Sequence, residues 1–256
     1  MFALDGTLDL RTQAMTRRPQ IPAPGVLAPA VIATWHGRMT NEYMSSFVFD
    51  GLAEQMVAAG DLDAATRCRE FAAEEREHGA LCGAVVEAAG GEARAIVAPT
   101  RAVPEHRKTT RRAAAARNVI SVACLSETVA VALIGAERLE MEGGPLEELL
   151  TRIWADEIGH ARFGWAWLDR TLPTCTAEER DAIERYLPLA LGHLETHELA
   201  HLPVNAQPPP EGKLYGLCSG SDARSLFYDT VLQVIVPELE RRGLGARAAW
   251  QARRAA

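Results

Sequence analysis

Two short motifs combine a carboxylate with an imidazole at helical spacing. They are Glu75-x-x-His78 and Glu157-x-x-His160. Because residues three apart lie on one face of an α-helix, each motif can direct both side chains at a single point. Carboxylates and imidazoles both bind divalent metal ions, so each motif is a potential half of a metal site.

Two single glutamates stand at matching distances before these motifs. Glu42 precedes Glu75 by 33 residues, and Glu127 precedes Glu157 by 30. At about 1.5 Å per residue, roughly 15 residues up one helix and 15 down the next return the chain to the same depth. The spacing therefore predicts that each glutamate faces its motif across an antiparallel helical hairpin.

The surroundings of Glu127 strengthen this interpretation. It is the only charged residue between positions 118 and 134, in a stretch dominated by apolar residues. A charge in such a helix is costly unless it is paired or bound to a cation. A buried salt bridge or a protonated carboxyl group is the structural alternative.

The ligand types indicate which metal such a site would hold. Four carboxylates and two imidazoles without a thiolate suit iron or manganese better than zinc or copper(I). We expect two iron ions, with manganese or a mixed manganese–iron pair also compatible. Glu42 and Glu127 are the candidate catalytic residues, and open positions would remain for dioxygen or peroxide.

Helices are the elements that must position these residues. Apolar periodicity and Gly or Pro breaks predict helices at about 31–59, 61–89, 105–141, 145–171, 176–200 and 222–241. Pro188 is expected to kink the fifth helix, and Pro237 to interrupt the last one. No strand is predicted. The organisation is an extended N-terminal arm (1–30), a bundle (31–171) and a C-terminal helical extension packed on it (172–256).

The composition and charge of the chain argue against several classes of protein. A formal charge of -7 argues against a nucleic-acid surface, and no run of eighteen apolar residues indicates a membrane span. No signal peptide is recognised. The five cysteines are scattered without a C-x-x-C pair, which excludes a rubredoxin-type module and predicts free thiols in the cytoplasm. The arm before the bundle is compatible with a homodimer.

Taken together, the motifs around residues 41–43, 74–78, 126–128 and 156–162 resemble the ferritin-like di-iron carboxylate superfamily. The likeness to a rubrerythrin or ferritin-like domain without a rubredoxin module covers about 31–171. It implies an all-α, ferritin-like four-helix bundle with additional C-terminal helices. It also implies that Asp156 orients a ligand histidine through its free ring nitrogen, with Glu74 as its counterpart or as a plain surface residue.

The resemblance implies oxidation of iron(II) by dioxygen or peroxide, with several possible outcomes. N-oxygenases of the family carry a third histidine where this chain has Ile153, and storage ferritins are shorter. The extra helices favour an oxygenase or oxidase that acts on a small organic substrate and uses an external electron donor. A ferroxidase, a peroxidase and a non-catalytic metal-binding protein are the alternatives.

Side chains one turn from the ligands are the expected lining of a substrate pocket. They are Cys82, Cys124, Trp154 and Phe163, for which plain core packing is the alternative.

A histidine stripe (His193, His197 and His201) follows at intervals of four residues. It is interpreted as a solvated face or, alternatively, as the source of a displaced third imidazole ligand or a proton shuttle. The nearby Glu198-x-x-His201 match is interpreted as accidental.

Overall fold

The computed structural model describes residues 6–97, 103–141 and 143–255. They form an all-α protein with one small sheet, which confirms the predicted class. The longer helices are α2 (Ala28–Ala59), α3 (Leu62–Ala88), α4 (Arg111–Val119), α5 (Glu127–Glu140), α6 (Pro145–Thr171), α8 (Leu187–His201) and α9 (Gly220–Thr230). The shorter helices are α1 (Arg11–Met15), α7 (Ala177–Glu184), α10 (Val236–Arg241) and α11 (Ala246–Ala252).

Two pairs of long helices form the body of the protein. Helix α2 packs along α3, and α5 packs along α6. The first turn is closed by Gly60 in the left-handed region (φ +85°) and by Asp61, whose side chain accepts a hydrogen bond from the Ala64 amide. The second turn uses Gly143 and Gly144, both at positive φ. Both breaks lie where the sequence predicted them.

The helix that carries Glu127 is continuous from Arg111 to Glu140, but a π-helical segment interrupts its α-helical geometry. Helix α4 begins after the cap Thr110, later than the predicted residue 105, and the π segment spans Ile120–Ser126. By length and apolar composition the whole helix could cross a membrane, although 44% of its most apolar window is buried inside the protein. A buried core helix meets the same test, so the expectation of no membrane-spanning helix stays a prediction.

A two-stranded antiparallel sheet is present where no strand was predicted. Strand β1 (Thr7–Asp9) pairs with β2 (Arg94–Ile96), so that Leu8 lies opposite Ala95. The described residues before α2 (6–27) are therefore not a simple extended arm, because Leu8, Leu10 and Ala14 are buried and α1 packs on α3. Strands of three residues are too short to produce a recognisable alternating pattern.

The C-terminal region is more broken than the sequence suggested. The predicted helix 176–200 is two helices, because α7 ends at Glu184 and Pro188 lies in the first turn of α8. A second π-helical segment, Val231–Ile235, joins α9 to α10. Pro237 falls in the first turn of α10, and α11 was not predicted.

The apolar core has two parts with a polar layer between them. On α2, buried apolar residues up to Met39 belong to the smaller part of the core, and those from Phe49 onward belong to the larger part. On α3 the order is reversed: residues up to Ala72 belong to the larger part and those from Leu81 onward to the smaller. On α6 the same change falls between Ile153 and Trp167. Five of the six predicted ligands lie within these gaps, and Glu127 lies between Leu125 and Val129 of the larger part.

Candidate metal centre

Each of the four long helical stretches contributes to the polar layer. Glu42 lies on α2, Glu75 and His78 on α3, Glu127 at the start of α5, and Glu157 and His160 on α6. Both histidine residues are fully buried, and Glu75, Glu157 and Glu127 are 2%, 2% and 7% exposed. The Glu42 side chain is more open, at 14%.

The structure brings all six side chains together in two overlapping groups. One group is Glu42, Glu75, His78 and Glu157, and the other is Glu75, Glu127, Glu157 and His160. Within each group, one ligand atom per residue lies within 4.8 Å of all the others. Glu75 and Glu157 belong to both groups, so the arrangement is that of two adjoining sites with two shared carboxylates.

The two imidazole rings have the same orientation relative to the cluster. His78 Nδ1 lies 3.2 Å from Glu157 Oε1, and its Nε2 lies 3.0 Å from Asp156 Oδ2 on the outer side. His160 Nδ1 lies 3.0 Å from Glu157 Oε2, and its Nε2 lies 2.8 Å from Glu74 Oε2. Each outer carboxylate therefore contacts the histidine of the opposite motif, and Glu74 is more than a plain surface residue.

These outer contacts determine which nitrogen atoms remain for a metal. A carboxylate that accepts the Nε2 hydrogen fixes the neutral tautomer with a free lone pair on Nδ1. His78 Nδ1 is fully buried and has no hydrogen-bond partner among the described residues. A buried nitrogen that has no hydrogen-bond partner and faces carboxylates has the environment expected of a ligand to a cation.

In the metal-free protein, the pKa values of the cluster show that its buried negative charge is unfavourable. Burial, followed by the repulsion of Glu157, raises the pKa of Glu75 and of Glu127 well above the ordinary value. Burial also opposes ionisation of Glu157, but its contacts with His160 and His78 outweigh burial and lower its pKa. Burial alone would lower the pKa of His78, but the nearby carboxylates of Glu157 and Glu42 outweigh it and raise this pKa to about 11. The cluster therefore needs positive charge, supplied by protons or by metal ions.

The π-helical segment ends directly before Glu127. Such segments add a residue to a helical turn and are frequent at functional sites. Helix α6 approaches this segment closely, since a Cβ atom on Gly164 would lie 2.6 Å from the Ala123 Cβ atom. No pattern in the sequence predicted the segment, because its five apolar residues and two serines are compatible with an ordinary helix.

Aromatic rings pack against the His160 side of the cluster. The His160 ring centroid is 4.4 Å from that of Phe71 and 5.1 Å from that of Phe49. Phe163, an expected pocket residue, packs edge-on against Phe71 at 5.3 Å. Phe71 was not anticipated, although it lies one turn before Glu75 on the same helix.

The other expected pocket residues have different surroundings. Cys82 and Cys124 are fully buried, and burial raises the pKa of both thiols. The Trp154 indole nitrogen donates a hydrogen bond to the Val131 carbonyl. Two surface clefts lie elsewhere, one along residues 9–15 and one between Ala59 and Thr174, and neither is lined by these side chains or by the six candidate ligands.

The histidine stripe does not join the cluster. His193, His197 and His201 lie on an exposed face of α8 and belong to neither converging group. Glu198 is also absent from both groups.

Comparisons of this chain with protein-family models, with curated proteins and with solved structures found no match. The interpretation of the cluster therefore rests on its own residues and geometry.

Proposed function

We propose that the buried cluster holds two iron ions in a ferritin-like bundle and uses dioxygen or peroxide to oxidise a small organic substrate. The observation that supports this most directly is the sharing of Glu75 and Glu157 by both ligand groups. A carboxylate with one oxygen for each of two cations is the natural bridge between them. Glu42 with His78, and Glu127 with His160, would complete the two ends.

Charge balance favours two divalent cations over one. Four carboxylates carry four negative charges, which two divalent ions neutralise while both imidazoles bind as neutral ligands. A single ion would leave two buried carboxylates to be protonated or unpaired, at a cost of several kcal/mol. The oxygen-rich donor set suits iron, manganese or a mixed pair.

The surrounding residues have defined tasks in this proposal. Asp156 and Glu74 hold the imidazole rings by their Nε2 hydrogens, and the aromatic rings of Phe49 and Phe71 exclude water from the His160 side. A bound iron pair supplies the electrons and open coordination positions for reducing the oxidant. Glu42 is the most accessible of the six residues, so we infer that small molecules approach from its side.

A ferroxidase or peroxidase is the second candidate. It is favoured by the tight packing around His160, whose ring centroid is 4.4 Å from that of Phe71. Dioxygen and peroxide need far less space than an organic substrate. The C-terminal helices beyond the four ligand-bearing stretches instead favour a substrate oxidase, which would also need an external electron donor.

The proposed setting is the cytoplasm. All five cysteines are free thiols in the structure, including the exposed Cys218. Exposed free thiols are compatible with a reducing compartment, in which iron(II) is also available.

The deciding experiment is metal content per chain after anaerobic iron(II) loading and desalting. We expect about two iron ions in the wild type and a marked loss in Glu127→Gln. The matched control is Glu137→Gln, because Glu137 is equally buried on the same helix but pairs with Arg38 and lies outside both groups. Iron-free wild-type protein, or equal iron in both variants, would contradict the proposed centre.

A second measurement separates the candidate activities. The reduced, iron-loaded protein is mixed with dioxygen or with hydrogen peroxide, and the rate of iron oxidation is recorded. Preferential reaction with peroxide would identify a peroxidase, and accumulation of many irons per chain would identify a storage protein. Two irons with dioxygen uptake that increases with an added amine or acid would support substrate oxidation.

A further inference from the structure

The histidine stripe on α8 has the geometry of a chelating surface. His193, His197 and His201 occur at successive intervals of four residues, which places them one turn apart along one face. The ring centroids of His193 and His197 are 6.1 Å apart with nearly parallel planes, and those of His197 and His201 are 4.9 Å apart. Modest rotations of these exposed side chains would bring two ring nitrogens to one ion.

Their hydrogen bonding distinguishes these rings from the other histidines. Each of the other four places a ring nitrogen within 3.1 Å of a protein oxygen: His36 on the Arg94 carbonyl, His78 on Asp156, His106 on Asn118 and His160 on Glu74. Across the described ranges, no hydrogen bond or ion pair engages a ring nitrogen of the stripe. Three adjacent imidazoles thus retain their lone pairs for an external ligand.

We propose that the histidine stripe binds one divalent ion of zinc, nickel or copper through His197 and at least one of its two neighbours. Two histidines four residues apart on a helix are a recurring zinc-binding arrangement. An all-imidazole donor set selects these late first-row metals over magnesium, calcium or manganese, which prefer oxygen. The site is distinct from the buried cluster, whose donors are mainly carboxylates.

The spacing predicts that the three histidines contribute unequally to metal binding. His197 belongs to both possible chelating pairs, whereas His193 and His201 each belong to one. Removing His197 leaves His193 and His201, which are eight residues apart. That separation is just over two turns, or about 12 Å along the helix axis, and is too long for both imidazoles to bind one ion. Removing either outer histidine leaves one complete pair.

The test is a calorimetric titration of the full-length protein with nickel(II) and, separately, zinc(II). We expect at least a tenfold loss of affinity at the surface site in His197→Ala, and a smaller loss in His193→Ala or His201→Ala. His36→Ala is the matched control, since it removes a histidine outside the stripe. The three stripe variants should retain the wild-type circular dichroism spectrum, because the stripe residues are exposed.

The buried cluster is controlled separately. Glu127→Gln should leave the nickel-binding event of the stripe unchanged, whatever its effect on iron. With copper(II), electron paramagnetic resonance should show imidazole nitrogen coupling that is lost in His197→Ala. The proposal is overturned if His197→Ala binds nickel and zinc as tightly as His36→Ala, or if Glu127→Gln removes the only binding event.

Discussion

The two hairpins that build the buried cluster supply the same ligand types but in different surroundings. The α2–α3 hairpin gives Glu42, Glu75 and His78. Glu42 is partly open to solvent, and His78 Nδ1 has no hydrogen-bond partner in the part of the chain that the structure describes. The α5–α6 hairpin gives Glu127, Glu157 and His160, enclosed by aromatic rings and preceded by the π segment. Similar ligands in unlike surroundings suggest that one half admits small molecules while the other is held rigidly.

The largest effect should come from a carboxylate shared by both halves. Glu157→Gln is expected to remove both iron ions, since Glu157 belongs to each group, whereas Glu42→Gln should lower the content from about two towards one. Metal analysis after anaerobic loading distinguishes these outcomes. Equal losses in the two variants would mean that the halves do not bind separate ions.

The outer carboxylates should have intermediate effects that remain specific to one half. Asp156→Asn weakens the support of His78, and Glu74→Gln that of His160. Loss of such a partner typically costs 10–100-fold in metal affinity or activity. Iron titration followed by charge-transfer absorption measures this loss. A matched control is Glu70→Gln, one turn before Glu74 and paired with Arg67 instead; a loss of the same size there would contradict a positioning role.

The close approach of α6 to the π segment predicts a smaller, structural effect. In Gly164→Ala the new Cβ atom would lie 2.6 Å from Ala123 Cβ, so the helices must separate. Such overpacking costs about 1–3 kcal/mol, partly offset by the better helix propensity of alanine. Chemical denaturation gives the free energy of unfolding. Gly159→Ala, where the added atom meets open space, should not be destabilised and serves as the control.

Much of this organisation could be predicted because the controlling signals are local. Gly60, Gly143 and Gly144 ended the long helices where expected, and the spacing of Glu42 and Glu127 anticipated their approach to the two motifs. The sheet was missed because β1 and β2 have three residues each. The pairing of a short strand is decided by distant partners, which periodicity does not reveal.

Other features depended on tertiary contacts that a single sequence does not display. The residues of the π segment fit an α-helix equally well, so its geometry is seen only in the folded structure, where it packs against α6 and α8. Asp156 could be expected to hold a histidine, but its contact with His78 of the opposite motif follows from how α3 and α6 face each other. The absence of hydrogen bonds at the stripe was likewise visible only in the fold.

The smallest expected effect concerns the pH dependence of the metal-free protein. Burial and the neighbouring Glu157 raise the pKa of Glu127, so in the folded state its proton is held to higher pH than in the unfolded chain. Keeping Glu127 protonated therefore has no effect on stability below the unfolded-state pKa of about 4.5, and it destabilises the fold progressively as the pH rises above that value.

The variant Glu127→Gln tests this expectation, because its glutamine side chain does not ionise. After removal of metal by a chelator, we expect the stability of Glu127→Gln to increase relative to that of the wild type on going from pH 5 to pH 8. Urea denaturation of both proteins at the two pH values measures this difference. A difference that does not change with pH would show that ionisation of Glu127 does not destabilise the metal-free fold.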